Sequence, residues 1–230
     1  MIYTEEAQHV LQSSTTTPAH PVSAADRAHA VLHERILDGT LPGGTLISEG
    51  QIADELGVSR TPVREAFLRL QAEGWMELFP KRGALVRPVQ PGEIAEVIEA
   101  RQVIESAAVR KVCLDSDAAT LLAAHLAEVV ANQNRAAAAG DLTAFARADV
   151  DFHQGIVDAG DNSILREVYR TLRDRQQRMT ARSVRARAGQ LDAIVGQHTE
   201  LARLIADQDA AGFTRALIDH MHDIHRDLLR

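Results

Sequence analysis

The sequence predicts a mostly α-helical protein, with an N-terminal winged helix-turn-helix followed by a C-terminal all-α helical bundle. Apolar residues recur at helical spacing along nearly all of the 230 residues, as in amphipathic helices. Only 3% of the residues are aromatic, whereas alanine, the strongest helix former, is abundant. Near the N-terminus, only Gly57 and Val58 separate two short helical patterns, which is the spacing of a helix-turn-helix. These observations favour helices over a β-sandwich or barrel.

The composition indicates a soluble globular protein. Hydrophobic residues make up 45% and charged residues 25% of the chain, which excludes a disordered or collagen-like protein. No apolar run reaches the length of a membrane span, and the N-terminus lacks the features of a signal peptide. We therefore expect a cytoplasmic protein with no membrane partner. The single cysteine, Cys113, excludes an internal disulfide, so any metal site must use histidine and carboxylate ligands.

Prolines and changes in apolar periodicity along the chain predict three segments. Residues 1–22 contain a threonine run and two prolines with little apolar periodicity, which is typical of a flexible N-terminal tail. Residues 23–90 are expected to form the winged helix-turn-helix, because Pro88 and Pro91 interrupt the pattern at its end. Residues 91–230 are expected to form the all-helical domain.

Two capping patterns predict where the first two helices begin. Ser23 is followed three residues later by Asp26, which is a helix-start pattern. Ser48 is followed in the same way by Gln51, whose side chain can return a hydrogen bond to the Ser48 amide. The second helix is expected to end before Gly57, because glycine readily adopts the left-handed conformation that follows a helix.

A third helix and a hairpin complete the predicted N-terminal fold. The helix is expected to begin at Ser59 or Thr61 and to stop near Gly74. Beyond it, apolar runs at residues 75–79 and 84–86 flank a turn with a basic tip. This pattern predicts a β-hairpin, the wing.

The remainder of the chain is predicted to contain about six helices. The predicted breaks between them lie near Leu114-Asp115, Gly140, Gly160–Asn162, Gly189 and Asp209–Gly212.

Charge is distributed unevenly along the chain. The formal net charge of -7 argues against nonspecific coating of nucleic acid by the whole protein. Residues 59–87, however, contain six basic and three acidic residues, a local net charge of +3. Binding to DNA phosphates requires a localised basic surface of this kind.

The third helix is expected to act as a recognition helix that enters the major groove of DNA. Its first turns carry Ser59, Arg60, Thr61 and Arg64. An arginine there can donate two hydrogen bonds to guanine, and a hydroxyl can bind phosphate or a base edge. Lys81 and Arg82 at the wing tip are expected to add phosphate or minor-groove contacts. The alternative is that these are ordinary solvated charges on a small helical domain.

Four polar residues lie on helical faces that are otherwise apolar, namely Asp149, His153, His198 and His220. Asp149 and His153 are spaced i, i+4, so both face the interior. A single inward histidine is more often a hydrogen-bonded core residue than a metal ligand, and this alternative stays open. For the whole set, a divalent cation would offset the desolvation of the carboxylate and orient the imidazoles. Such ligands suit zinc, manganese, nickel or iron better than magnesium or calcium.

Arg101 also lies on an apolar helical face. A guanidinium cannot lose its charge in a protein, so an inward arginine needs an anion. One candidate partner is an internal acid such as Glu105, and the other is the carboxylate of a small effector.

The run from Gly57 to Ala66, with Glu73-Gly74-Trp75 and Arg82-Gly83-Ala84, strongly resembles the GntR family of bacterial winged-helix regulators. The resemblance covers residues 25–88. It implies that Arg60, Thr61, Arg64 and Gly83 correspond to DNA contacts of the family. Some members carry a further DNA-contacting arginine early in the second helix, where this chain has Gly50.

The C-terminal part is similar to the FCD effector domain of the FadR subgroup. The similarity rests on the runs Asp149–His153 and Gly160–Asn162, on His198, and on His220, which follows after 22 residues. In metal-binding members one aspartate and three histidines hold the ion, and they correspond to Asp149, His153, His198 and His220. We expect a divalent transition metal there, with zinc preferred. The arginine that corresponds to Arg101 binds the effector carboxylate in many relatives.

These patterns predict a homodimeric transcriptional regulator, a repressor rather than an enzyme. Its partners would be a double-stranded palindromic operator and a small carboxylate effector bound in the helical domain. One rival is a metal-dependent hydrolase that uses the site of three histidines and one aspartate to activate water. Another is a metal-free helical assembly module joined to the DNA-binding part.

Overall fold

The computed structural model describes residues 22–229, and in this range the chain forms nine α-helices and one three-stranded sheet. The predicted fold class is therefore confirmed. The tail predicted at residues 1–22 lies outside the described residues, apart from the exposed Val22. We call residues 23–90 the head and residues 91–229 the body.

In chain order, the head contains α1 (Ala24–Leu37), β1 (Leu46–Ile47), α2 (Glu49–Leu56), α3 (Arg60–Ala72), β2 (Met76–Phe79) and β3 (Gly83–Val86). The body contains α4 (Pro91–Val112), α5 (Ser116–Ala139), α6 (Leu142–Ala159), α7 (Ser163–Ala186), a short 3-10 turn (Ala188–Gln190), α8 (Leu191–Ala206) and α9 (Ala210–His225).

Local capping explains where the first two helices begin. At α1, Ser23 Oγ accepts from the Asp26 amide at 3.0 Å and the Ser23 amide donates to Asp26 Oδ2 at 3.3 Å, which completes a capping box. At α2, Ser48 Oγ accepts from the Gln51 amide at 3.1 Å. The expected return bond from the Ser48 amide to the Gln51 side chain is absent in the described part of the chain, because that side chain extends into solvent. Gly57 ends α2 in the left-handed conformation, as predicted.

The wing contains one strand more than the sequence predicted. The hairpin of β2 and β3 forms as expected, with Met76 opposite Val86. The connection between α1 and α2 adds β1, which pairs antiparallel with β3 so that Leu46 lies opposite Leu85. A strand of two residues is too short to show alternation, and it is formed only because β3 offers it a free edge.

The six helices predicted for the body form between the predicted breaks. Helix α5 packs against α6 and α8, while α4 and α7 both contact α6 and α9. Side chains from α4, α6, α8 and α9 form one continuous apolar core with α5. This arrangement surrounds a small polar centre between α6, α8 and α9. None of the helices within residues 22–229 is long and apolar enough to cross a membrane.

Gly83 makes a backbone approach that no other residue type can make. It has a φ of 109°, and a Cβ placed on it would lie 2.1 Å from the carbonyl oxygen of Ile47 on β1. Glycine therefore allows β1 and β3 to meet where the turn at the wing tip joins β3.

We predict that Gly83→Ala destabilises the head by at least about 1 kcal/mol, because the side chain meets both a backbone clash and an unfavourable φ. Unfolding in urea, followed by the fluorescence of Trp75, the only tryptophan of the chain, measures the effect. Gly92→Ala is the matched control, since no atom lies within 4 Å of a Cβ at that position. Equal midpoints for Gly83→Ala and the wild type would contradict this account of the wing.

Candidate functional site

The structure brings Asp149, His153, His198 and His220 together at the centre of the body. Helix α6 supplies the first two side chains, α8 supplies His198, and α9 supplies His220. One ligand atom from each of the four lies within 4.8 Å of the others. All four residues are at most 2% exposed, so solvent does not compensate their polar atoms.

Each histidine donates its Nδ1–H to a side-chain oxygen on a neighbouring helix. The three pairs are His153 with Glu105 Oε2 at 2.7 Å, His198 with Gln133 Oε1 at 2.6 Å, and His220 with Gln197 Oε1 at 2.9 Å. In a neutral imidazole, a proton on Nδ1 leaves a lone pair on Nε2. These outer partners therefore set the tautomer that a metal ligand requires.

The three Nε2 atoms point at one another. His220 Nε2 lies 3.2 Å from Nε2 of both His153 and His198, and Asp149 Oδ1 lies 3.6 Å from His198 Nε2. Asp149 Oδ1 has no hydrogen-bond donor among the described residues. Four electron-rich atoms facing one another are unfavourable unless a cation lies between them. Zinc ligands at about 2.0 to 2.1 Å in tetrahedral geometry are about 3.3 Å apart, so the donor set fits a divalent metal ion.

The second carboxylate oxygen of Asp149 is fully engaged. Asp149 Oδ2 accepts from Thr180 Oγ1 at 3.0 Å and from Gln176 Nε2 at 3.2 Å, and both donors lie on α7. These bonds orient the carboxylate so that Oδ1 faces the three imidazoles.

Arg101 is buried beside this centre and pairs with Glu105, one of the two partners that the sequence suggested. Its Nε donates to Glu105 Oε1 at 3.0 Å and lies 3.3 Å from the hydroxyl of Tyr169. Its Nη2 has no hydrogen-bond partner in residues 22–229. The guanidinium therefore neutralises Glu105 and retains a buried donor that an anionic ligand could use.

Burial and neighbouring charges change the pKa values of several groups at the centre. Burial opposes ionisation of Glu105, but His153 and Arg101 overcome this effect and lower its pKa. Burial, together with neighbouring cationic groups, lowers the pKa of His198 and His220 well below the usual value. The imidazoles of His198 and His220 are therefore neutral, which is the protonation state in which a histidine binds a metal.

Sequence reasoning missed the outer partners of this site, among them the two glutamines that accept from His198 and His220. Gln133 lies on the buried face of α5 with Leu126 and Val129, so its inward position could have been inferred from helical periodicity. Gln197 is half-buried and adjacent to His198, and no pattern in the sequence distinguishes it from a surface residue.

A second candidate site lies between α3 and the wing. A groove of about 680 Å³ there is lined by Arg60, Arg64, Lys81, Arg82 and Gly83, together with residues at the start of α2. Ser59 and Thr61 are exposed at the beginning of α3 but do not line this groove. Five of the seven predicted contact residues therefore line one groove.

Glu49, a residue that sequence reasoning missed, holds Arg64 within this groove. The Glu49 carboxylate accepts from Nε and Nη2 of Arg64, both at 2.8 Å. Nη1 of Arg64 takes no part in this pair. On the same surface, the guanidinium of Arg60 lies against Gly50, 3.3 Å from the position of a Cβ there. Arg60 therefore covers the position at which some GntR members carry their additional arginine.

The family comparisons cover both the head and the body. Residues 24–86 match the profile of bacterial regulatory proteins of the gntR family, and residues 96–223 match the FCD domain. An HTH-type transcriptional regulator of Agrobacterium vitis is 34% identical over 140 residues, which are 59% of this chain and 82% of the relative. The gluconate operon transcriptional repressor of Bacillus subtilis (strain 168) is 28% identical over 215 residues, 90% of this chain and 87% of the relative.

A solved structure shows the same fold over nearly the whole length. The crystal structure of a GntR protein from Rhodococcus sp. RHA1 superposes with a TM-score of 0.73 at 25% identity, covering 89% of this chain and 97% of that one.

The buried His225 predicts a measurable dependence of stability on pH. Burial and the charge of Arg101 lower its pKa from 6.5 to about 3, so below pH 6.5 the unfolded chain binds a proton that the folded chain does not. Stability is then fully present above about pH 6.5 and is lost as the pH falls toward 3. His225→Asn, which keeps a partner for Ser183 Oγ, is expected to weaken this dependence.

The measurement is the free energy of unfolding in urea at pH 7, 6 and 5, with a chelator present. His222→Asn is the control, because His222 is exposed on the same helix. If His225→Asn lost as much stability between pH 7 and 5 as the wild type, the buried neutral state of His225 would be wrong.

Proposed function

We propose that this chain, which belongs to the gntR family of bacterial regulatory proteins and carries an FCD domain, is a transcriptional repressor controlled by a small organic acid. Family membership makes the chain a DNA-binding transcriptional regulator. The observation that carries the effector proposal is the buried centre of the body, where Asp149 Oδ1 and Arg101 Nη2 have no protein partner among residues 22–229. The relative from Bacillus subtilis is named for a gluconate operon, and gluconate is a carboxylate.

In the head, α3 would enter the major groove while the wing contacts the flanking backbone. The pair with Glu49 holds Arg64 in one orientation and leaves Nη1 and the remaining hydrogen of Nη2 free for a guanine. Lys81 and Arg82 are exposed at the wing tip and would contact phosphate. Ser59 and Thr61 would contact the backbone beside the start of α3.

In the body, Asp149, His153, His198 and His220 would hold one divalent ion, with zinc preferred and manganese, nickel or iron as alternatives. The ion would supply a positive charge, and expansion of its coordination beyond the four protein ligands would accommodate one carboxylate oxygen of the effector. Nη2 of Arg101 would donate to the same ligand from the other side. Binding energy for the effector and for DNA would be coupled reciprocally.

We also propose that residues 91–230 form the domain that binds effector and holds two chains together, with the boundary to the DNA-binding domain near residue 90. Two heads related by a twofold axis would recognise a palindromic double-stranded operator. Membership in a family of regulators favours this function over hydrolysis at the metal centre. The metal content of the purified protein would distinguish this proposal from the alternative of a metal-free assembly module.

Arg64→Ala is expected to weaken binding to a specific operator by about 1 to 3 kcal/mol, because one bidentate base contact is lost. The operator is first recovered from random duplexes by selection with the wild-type protein, and affinity is measured by fluorescence anisotropy at one salt concentration. Arg69→Ala is the matched control, since Arg69 lies on the same helix, pairs with Asp26, and is outside the groove. Unchanged affinity of Arg64→Ala would show that α3 does not read bases through this residue.

The metal proposal predicts about one equivalent of divalent metal per chain after mild dialysis, measured by elemental analysis. His198→Ala is expected to lose most of it, because one of four ligands is removed. The control His222→Ala should retain the wild-type content, since His222 is exposed and points away from the centre. A wild-type protein that contains no metal and takes up none when zinc, manganese, nickel or iron is added would exclude the site.

A further inference from the structure

A cleft of about 240 Å³ lies where the head meets the body. The end of α1 and the turn that follows it form one wall, and the linker residues Pro88 and Val89 form a second. The third wall is one face of α7, which presents Arg178, Arg182 and Arg185 at the spacing i, i+4 and i+7. This cleft is separate from the metal centre and shares no lining residue with it.

The seven arginines of α7 fall into two groups. The first four each form an ion pair with a carboxylate: Arg166 with Asp158, Arg170 with Glu167, Arg173 with Asp151, and Arg175 with Glu93. The last three are the arginines of the cleft, and within residues 22–229 none of them has a carboxylate within 4.0 Å.

The cleft arginines donate to main-chain carbonyls instead. Arg178 donates to the carbonyl oxygen of Arg87, Arg182 to that of Val89 at 3.4 Å, and Arg185 to that of Asp38 at 2.9 Å. A neutral carbonyl satisfies one N–H but leaves the positive charge uncompensated, and each guanidinium has five N–H donors. The three side chains therefore keep both charge and donors available toward the cleft.

Arg178 is the most buried of the three cleft arginines, so its uncompensated charge is the most unfavourable. It is only 8% exposed, and burial together with the nearby charges of Arg182 and Arg87 lowers its pKa, although Glu93 acts in the opposite direction. A buried cation without a counter-anion is unfavourable. A bound anion would remove this penalty for the group as a whole.

We propose that this cleft binds a small phosphorylated molecule, with its phosphate on Arg178, Arg182 and Arg185. A phosphate monoester carries about two negative charges at pH 7 and three acceptor oxygens, which matches three guanidinium groups better than one carboxylate does. The side chains of Ile36, Pro88 and Val89 offer an apolar surface for the carbon part of the ligand. Because the walls belong to head, linker and body, the ligand would restrain their relative position and so alter DNA affinity.

Isothermal titration at constant ionic strength tests this proposal, with inorganic phosphate, glycerol 3-phosphate and succinate as three separate probes. The wild type is expected to bind one phosphate or glycerol 3-phosphate per chain and to bind succinate more weakly. Arg182→Gln, at an exposed position, should weaken phosphate binding at least about tenfold, as expected for loss of a charge-assisted contact. Arg170→Gln removes the same charge from the same helix outside the cleft and should bind phosphate like the wild type.

Three results would overturn the proposal. The first is no phosphate binding to the wild type at about ten millimolar, a concentration well above the dissociation constants of specific ligands. The second is equal affinity of the wild type and Arg182→Gln, which would place any bound phosphate elsewhere. The third is tighter binding of succinate than of either phosphate probe, which would assign the cleft to dicarboxylates.

Discussion

The body depends on the pairing of its buried polar centre. Three imidazoles and the carboxylates of Asp149 and Glu105 lie where water does not reach, and an unpaired polar group there destabilises the fold. The ligand side chains come from α6, α8 and α9, and their hydrogen-bond partners come from α4, α5 and α7 as well as from α8 itself. Each helix of the body therefore has its position constrained by one network.

The same network connects the centre to the head. Helix α4 carries Arg101 and Glu105 and begins directly after the linker, at Pro91. Helix α7 carries the two donors to Asp149 and the three cleft arginines in its second half. At this junction, Nε2 of His33 in the head also lies 3.2 Å from Oδ2 of Asp174 on α7. A change in either helix at the polar centre therefore acts on elements that contact the head, which is the structural requirement for coupling between two sites.

Much of the fold could be predicted from the sequence because the signals are local. Helix starts at Ser23 and Ser48, the stop at Gly57 and the breaks between the body helices are determined by residues within one turn of each position. Helical periodicity alone places Asp149, His153, His198 and His220 on inward faces. It does so for Arg101 as well, since position on a helical face depends only on spacing along the chain.

Tertiary structure decided which of these side chains meet and what else joins them. The sequence left Arg101 with two alternative partners. Glu105 lies one turn further along α4 and pairs with it locally, whereas Tyr169 joins the pair from α7 only because the two helices pack together. The Glu49 contact with Arg64 spans 15 residues and the Gln133 contact with His198 spans 65, so no local pattern indicates either. Strand β1 and the arginine cleft likewise form from segments that are far apart in the sequence. Periodicity specifies the direction of a side chain on its own helix, whereas its partner depends on how separate helices pack, and packing is a property of the whole chain.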